Sequence, residues 1–294
     1  MSFHEPTTPA TLQAILAQHP DAVLVAGGTQ LMRSPARHLG DRPLVSLRRV
    51  EPLGRVSRTQ RFLDIGAAVS LARVLSIGPR VVPRSLFAAL KATASPTVRV
   101  LATLGGNICA LGVEHTSLAA LAALDAQLEL RRGAASRLLP AALFWRGGSD
   151  RAIQPGEVLM RVRLPLDELE AELFTEETVS WRSQSARVAF SAAVAAYKGT
   201  VESLRLCVAS PWFGTLRFGD FEGACVGVRL PMRERSLEDL VSMLKRSLVQ
   251  RLGAPIPEVA PILAPAVRLA RGFLRELGKS SGEDGDGRSR YFRG

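Results

Sequence analysis

Two short glycine-bearing stretches, Ala26-Gly27-Gly28-Thr29 and Thr103-Leu104-Gly105-Gly106-Asn107, decide how the rest of this chain is read. The apolar, β-type run Ala22-Val23-Leu24-Val25 stops at the first of them. Glycines there let main-chain N–H groups approach an anionic ligand and let the backbone take φ > 0; Thr29 adds a hydroxyl. A strand ending in two glycines is also an ordinary tight turn, so the first stretch alone is weak evidence. The second repeats the chemistry, with the Thr103 hydroxyl and the Asn107 amide flanking Gly105-Gly106. Donors converging from two turns neutralise a diphosphate better than one glycine turn can. Neither stretch fits the G-x-G-x-x-G fingerprint with its following acidic residue, and no Lys-Ser or Lys-Thr pair follows the glycines. A Rossmann-type site and nucleotide hydrolysis are therefore both disfavoured.

Working outward, the pattern is α+β. Leu12, Ile15 and Leu16 share one face over Thr11–Gln18, with Thr8 or Thr11 placed to cap the start. Pro43–Leu47 reads as a second strand, which closes a small unit over residues 1–55. Residues 56–166 form a second α+β unit. Its pattern gives a half-buried strand at Phe62–Ala67, helices at Ser70–Leu75 and Ser85–Ala94, a break at Ser95-Pro96, a helix at Ser117–Asp125, and strands at Gln127–Arg131 and Val158–Leu164. An acidic bridge, Asp167–Glu177, leads into a third α+β unit over residues 167–279. There Ala186–Tyr197 reads as strand or helix, Ser203–Ala209 and Ala224–Val228 as strands, and Ser236–Leu252 and Val259–Leu277 as helices. Residues 280–294, glycine-rich and charged, read as a disordered tail.

Composition narrows the function classes. With 294 residues, 47% of them hydrophobic, the chain can build two or three packed lobes. The polar stretch Met1–Ala10 has no apolar signal region, and the richest apolar run, Leu118–Leu124, is far too short for a membrane span. A cytoplasmic location is expected. Cys109, Cys207 and Cys225 lack any C-x-x-C pairing, and His4, His19, His38 and His115 lack ligand spacing. No disulfide framework, metal site or iron–sulfur cluster is expected in the chain itself. The net charge of +11 raises nucleic-acid binding as a possibility, but the arginines are dispersed and no basic helix or recognition motif gathers them.

The residues resemble one known family, the FAD-binding subunit or domain of the molybdenum hydroxylases, which includes xanthine dehydrogenase and carbon monoxide dehydrogenase. The resemblance rests on Val25-Ala26-Gly27-Gly28-Thr29-Gln30-Leu31, on Leu63-Asp64-Ile65-Gly66-Ala67 with Ser70-Leu71, and on Ser95-Pro96-Thr97-Val98-Arg99 leading to Thr103-Leu104-Gly105-Gly106-Asn107-Ile108. Leu124-Asp125-Ala126, Phe144, Pro155-Gly156-Glu157 and Leu164-Pro165 follow in the family's order. The resemblance implies a two-subdomain FAD-binding fold of the PCMH/vanillyl-alcohol-oxidase type, followed by a C-terminal α+β domain. It implies that the backbone at Gly27, Gly28 and Thr29 and at Leu104, Gly105 and Gly106 holds the diphosphate, while Thr103 and Asn107 help fix the ribityl and flavin end. It implies as partners a molybdopterin-binding large subunit and a [2Fe-2S] small subunit, from whose clusters FAD passes electrons to NAD or another acceptor.

The sequence departs from the family in two places. Where the family continues with Asn, then Ala-Ser-Pro and, three residues on, an Asp, this chain has Ala110, Leu111, Gly112, Val113 and Thr116. Thr116 can still hydrogen-bond but lacks the carboxylate's charge. Glu114 or His115 could substitute locally, or both could be plain exposed loop residues. Trp181-Arg182-Ser183 replaces a basic-glycine segment, and Trp181 is read either as a core residue or as a stacking group. A divergent paralogue that has lost FAD and acts as a scaffold or assembly subunit is the alternative function.

Overall fold

A computed structural model describes residues 2–33, 40–110, 116–147, 150–253 and 256–277. They fall into two compact units, Met1–Pro83 with Leu90–Val113 and Asp125–Leu166, and Arg84–Ala89 with Glu114–Leu124 and Asp167–Gly294.

The first unit holds two sheets. Strands β1 (Phe3–His4), β2 (Val23–Val25) and β3 (Leu44–Ser46) make a parallel sheet in the order β1-β3-β2. Helix α1 (Pro9–Gln18) connects β1 to β2, buries Leu12 and Leu16, and is capped by Thr8, whose hydroxyl accepts the Thr11 N–H at 3.1 Å. The second sheet is antiparallel, in the order β4-β5-β10-β6-β7, from β4 (Val56–Arg58), β5 (Phe62–Gly66), β6 (Gln127–Arg132), β7 (Ala135–Pro140) and β10 (Val158–Pro165). A small hairpin of β8 (Trp145–Gly147) and β9 (Asp150–Arg151) stands apart from it. In β5 the expected alternation holds: Leu63 and Ile65 are buried, and Asp64 on the other face takes a bidentate pair from Arg163 (2.8 and 3.0 Å) and a bond from Arg161 (3.2 Å).

Between β5 and β6 run α2 (Leu71–Ile77), α3 (Arg84–Ala92), α4 (Pro96–Leu101) and α5 (Leu104–Cys109). Ser95-Pro96 does interrupt the helical run, and for a positive reason: Ser95 caps α4 and Pro96 occupies its first turn, where no N–H is missed. The second glycine stretch, expected as a loop, is the first turn of α5 with Thr103 as its cap. Two further family signatures have local explanations. Asp125 takes φ +52° just past the helix before β6, and Gly156 takes φ +78° in the turn that aims Glu157 inward, where it accepts from Arg137 at 2.6 and 2.8 Å and from the Gln154 N–H at 2.7 Å.

In the second unit an antiparallel sheet runs in order β11-β12-β13-β14, from β11 (Ala171–Trp181), β12 (Gln184–Tyr197), β13 (Thr200–Ser210) and β14 (Gly214–Arg217). Alternate β12 residues Val188, Phe190, Ala192 and Val194 pack into a core with α8 (Glu234–Leu252) and α9 (Ile256–Glu276). Helix α6 (Ser117–Ala123), buried at every residue, packs on β12 and β13; a helix apolar all round needs cover on all sides. Two expectations are corrected, and the open choice at Ala186–Tyr197 is settled as strand. Most of the acidic bridge is strand β11, because its charges pair outward, Glu176 with Arg187 and Glu177 with Arg268, while Ala171 and Leu173 face the core. Ala224–Val228 is the end of a helix, α7 (Gly219–Cys225), and a turn, fixed by Glu222, which accepts from Arg217 at 2.6 and 2.7 Å and from the Leu206 N–H at 3.0 Å.

No helix among the described residues is long and apolar enough to cross a membrane. Residues 280–294, expected as a tail, lie outside the described residues.

Candidate functional site

The two glycine turns meet inside the first unit. The parallel strands β2 and β3 end side by side, the Leu47 N–H donating to the Val25 carbonyl at 2.8 Å, and the chain leaving β2 turns at Ala26-Gly27-Gly28. Gly27 lies hard against the chain that enters the second turn. A Cβ on it would sit 2.7 Å from the Leu101 carbonyl carbon and 3.1 Å from the Ala102 Cα, with the Leu101 oxygen nearer still. Gly28 follows with φ +71°, a conformation that L side chains rarely take. Gly105 is equally confined, since a Cβ would fall 2.6 Å from the Ala67 Cβ and 2.8 Å from its carbonyl oxygen. A cleft of ≈ 150 Å³ opens at this junction, lined by Ala26, Gly27, Ala68, Ser70, Leu101 and Thr103 among others.

The two turns do not offer equal numbers of donors. Among the described residues the N–H groups of Ala26, Gly27, Gly28 and Thr29, all half-buried, bond to no protein acceptor. Half-buried amides without a partner call for a polar ligand or water. In the second turn the main-chain donors from Leu104 to Asn107 are engaged, and only the Thr103 N–H makes no bond among the described residues. Leu104 donates to the Val69 carbonyl (2.9 Å), Gly105 to the Ala67 carbonyl (2.8 Å), Gly106 to the Thr103 hydroxyl (3.0 Å) and Asn107 to the Thr103 carbonyl (2.8 Å). The expectation that the main chain at Leu104, Gly105 and Gly106 donates to the diphosphate is thus corrected. The amides of Leu104, Gly105 and Gly106 hold the turn in shape, and the polar groups left to this side are the Thr103 N–H and side chains.

Thr103 illustrates it. Its buried hydroxyl accepts the Gly106 N–H and so keeps its own proton free to donate. Ser70 is alike, capping α2 by accepting the Arg73 N–H at 3.2 Å, and an isolated antiparallel bridge sets Ser70 against Thr103. Sequence reasoning places Ser70 only at a helix start and misses it as a lining residue. Thr103→Val is expected to cost about 1 kcal/mol of stability through the lost cap and to weaken ligand binding, with Thr103→Ser restoring both; thermal unfolding and flavin fluorescence measure the two effects.

The remaining candidates sit as follows. Val25 ends β2, Leu31 opens a short 3-10 turn, and the Gln30 carbonyl accepts the Arg33 N–H at 3.2 Å. Thr116 belongs to the second unit, buried at the start of α6, and its hydroxyl makes no capping bond. Leu111–His115, with Glu114 and His115, lie outside the described residues. Ala110, just before them, ends α5 and accepts from Arg151 at 3.2 Å. Arg151 stacks 5.0 Å over the Trp145 ring, and burial lowers its guanidinium to about 10. All three cysteines are free, and burial pushes each thiol up to about 12, so none is a reactive thiolate. Trp181 lies in the second unit's core, edge-on to Trp212 at 5.3 Å.

A family model described as the FAD binding domain in molybdopterin dehydrogenase matches residues 1–167, more than half of the chain and all of the cleft. The chain belongs to that family. Its FAD-binding domain is 30% identical over 169 residues to the xanthine dehydrogenase FAD-binding subunit of Escherichia coli O157:H7, a match that spans 56% of this chain and 57% of that one. It is 34% identical over 175 residues to aldehyde oxidase 2 of Cavia porcellus, across 54% of this chain and 13% of that protein. These matches thus cover little more than half of the bacterial relative and a small part of the mammalian one. Along 94–95% of its length the chain shares the fold of two solved proteins. One is quinoline 2-oxidoreductase from Pseudomonas putida 86 (TM-score 0.70, 23% identity, 95% of that chain) and the other CO dehydrogenase from Oligotropha carboxidovorans (TM-score 0.73, 21% identity, 98% of that chain). The mixed helix-and-sheet architecture is therefore the one that these two solved chains have.

Proposed function

We propose that this chain is the electron-transfer flavoprotein subunit of a cytoplasmic molybdenum hydroxylase complex. In this reading it takes electrons from a partner's iron–sulfur clusters and delivers them to NAD or another acceptor. The observation that carries the reading is the row of unpartnered amides at Ala26–Thr29 beside the Thr103 and Ser70 hydroxyls. Such a donor array fits the negatively charged centre of a dinucleotide. FAD, when bound, supplies chemistry that joins one-electron donors to hydride acceptors.

The chain's own residues do the holding. Ala26, Gly27, Gly28 and Thr29 present main-chain donors, with Val25, Gln30 and Leu31 setting the turn's two ends. Thr103 donates its free proton, Leu104, Gly105 and Gly106 keep the second turn rigid, and Asn107 acts toward the flavin end. We take residues 1–55 and 56–166 as the two FAD-binding subdomains and 167–279 as the C-terminal domain. A molybdopterin-binding subunit and a [2Fe-2S] subunit are the partners.

Titrating the purified chain with FAD tests this reading. A ligand that binds only the native state stabilises it by about 2.7 kcal/mol at a free concentration of about 100 times its Kd, so a clear rise in Tm, together with flavin bands retained through gel filtration, is expected. An unchanged Tm without retained flavin sinks the proposal and favours the scaffold reading that the altered Ala110–Thr116 stretch raises.

A further inference from the structure

Most arginines of the first unit have visible employment. Arg55 pairs with Glu51, Arg137 with Glu157, and Arg161 and Arg163 with Asp64, while Arg73 and Arg99 donate to main-chain carbonyls. Arg48 differs. It lines the cleft beside Gly27, is exposed, and has no ion pair or hydrogen bond among the described residues. Its neighbour Arg49 reaches Glu5 at 3.9 Å instead.

The placement follows from the sheet. Arg48 lies two residues beyond β3, the central strand, and the Leu47–Val25 bond keeps that chain beside the one leaving β2. Arg48 and the Ala26–Thr29 amides therefore emerge together at the carboxyl ends of adjacent parallel strands, where open sheets of this kind receive ligands. Across the cleft stand Ser70 and Thr103, each with a hydroxyl proton left to give, and no carboxylate is among the described lining residues. The cleft thus brings together a full positive charge, two hydroxyl donors and unpaired amides. Only an anion answers all of them.

We propose that Arg48 is a ligand-positioning residue that pairs with the diphosphate of the bound dinucleotide, a role that rests on the FAD reading above. The planar guanidinium suits paired phosphoryl oxygens, whereas a lysine ammonium would serve as a point charge. The sequence does not disclose this, because Arg48 stands among five early arginines with nothing to single it out.

The test uses the full chain freed of flavin, titrated with FAD and separately with ADP, which carries the same diphosphate, at low and high salt. Arg48→Ala is expected to weaken both ligands about tenfold or more and to flatten the salt dependence of FAD binding. Arg48→Lys should retain part of the affinity, and Arg49→Ala should bind like wild type. Because Arg48 is exposed, the Tm of the ligand-free variants should not move. Wild-type affinity and salt dependence in Arg48→Ala overturn the proposal, as does a loss for FAD with none for ADP, which places the contact away from the diphosphate. Wild-type protein that binds neither ligand overturns the flavin reading itself, and this one with it.

Discussion

Gly27→Ala is expected to lower folding stability by about 3 kcal/mol and to abolish flavin binding. The added methyl group would lie 2.7 Å from the Leu101 carbonyl carbon and closer to its oxygen, and the obstacle is backbone, which cannot rotate away. Either the Ala26–Thr29 turn or the Leu101–Ala102 chain must withdraw, and withdrawal of either opens the junction on which the cleft depends. Gly54→Ala is the control, because nothing lies within 4 Å of a Cβ there and the position needs no left-handed backbone. Denaturant unfolding of the two variants measures the difference. Equal stabilities would show that the turns are not packed together as described.

The second large effect is expected at the pair that closes the turn before β10. Glu157 has a side chain only 5% exposed and is held by Arg137 and the Gln154 N–H, whereas the Arg137 side chain is 38% exposed. Arg137→Met should cost about 2–3 kcal/mol at neutral pH. That is less than for a fully enclosed pair, because water can enter from the arginine's side. The hydrogen bond from Arg137 holds the Glu157 carboxyl below the usual carboxylate range, against the opposing effect of burial. A depressed pKa gives stability that is fully present above the unfolded value, about 4.3, and is lost as pH falls through the folded one. The gap between wild type and Arg137→Met should therefore be widest near neutrality and should narrow below about pH 4. A gap constant with pH would mean that Glu157 owes nothing to its partner. The double variant Arg137→Met/Glu157→Leu should recover much of the loss, since no charge then remains buried without a partner.

What the sequence by itself determined was local in its physics. Thr8 announces a helix start through its capping position, the periodic run from Ser70 announces another, Phe62–Gly66 announces a half-buried strand by alternation, and the ordered glycine signatures identify the family. The glycines were legible as glycines that matter, but the reason was not. Gly27 and Gly105 are needed because distant backbone presses on them, a contact between residues some seventy positions apart for Gly27 and nearly forty for Gly105, which no local pattern encodes. Only the tertiary structure decided which donors stay available, by committing the amides from Leu104 to Asn107 to Val69, Ala67 and Thr103 and leaving those of the first turn unpaired. It also decided the state of the alanine-rich segment β12, whose composition favours a helix. Strands β11 and β13 on its two edges satisfy its backbone, while helices on its faces demand small side chains. Local preference is worth tenths of a kcal/mol per residue, and pairing along both edges of a buried strand outweighs it.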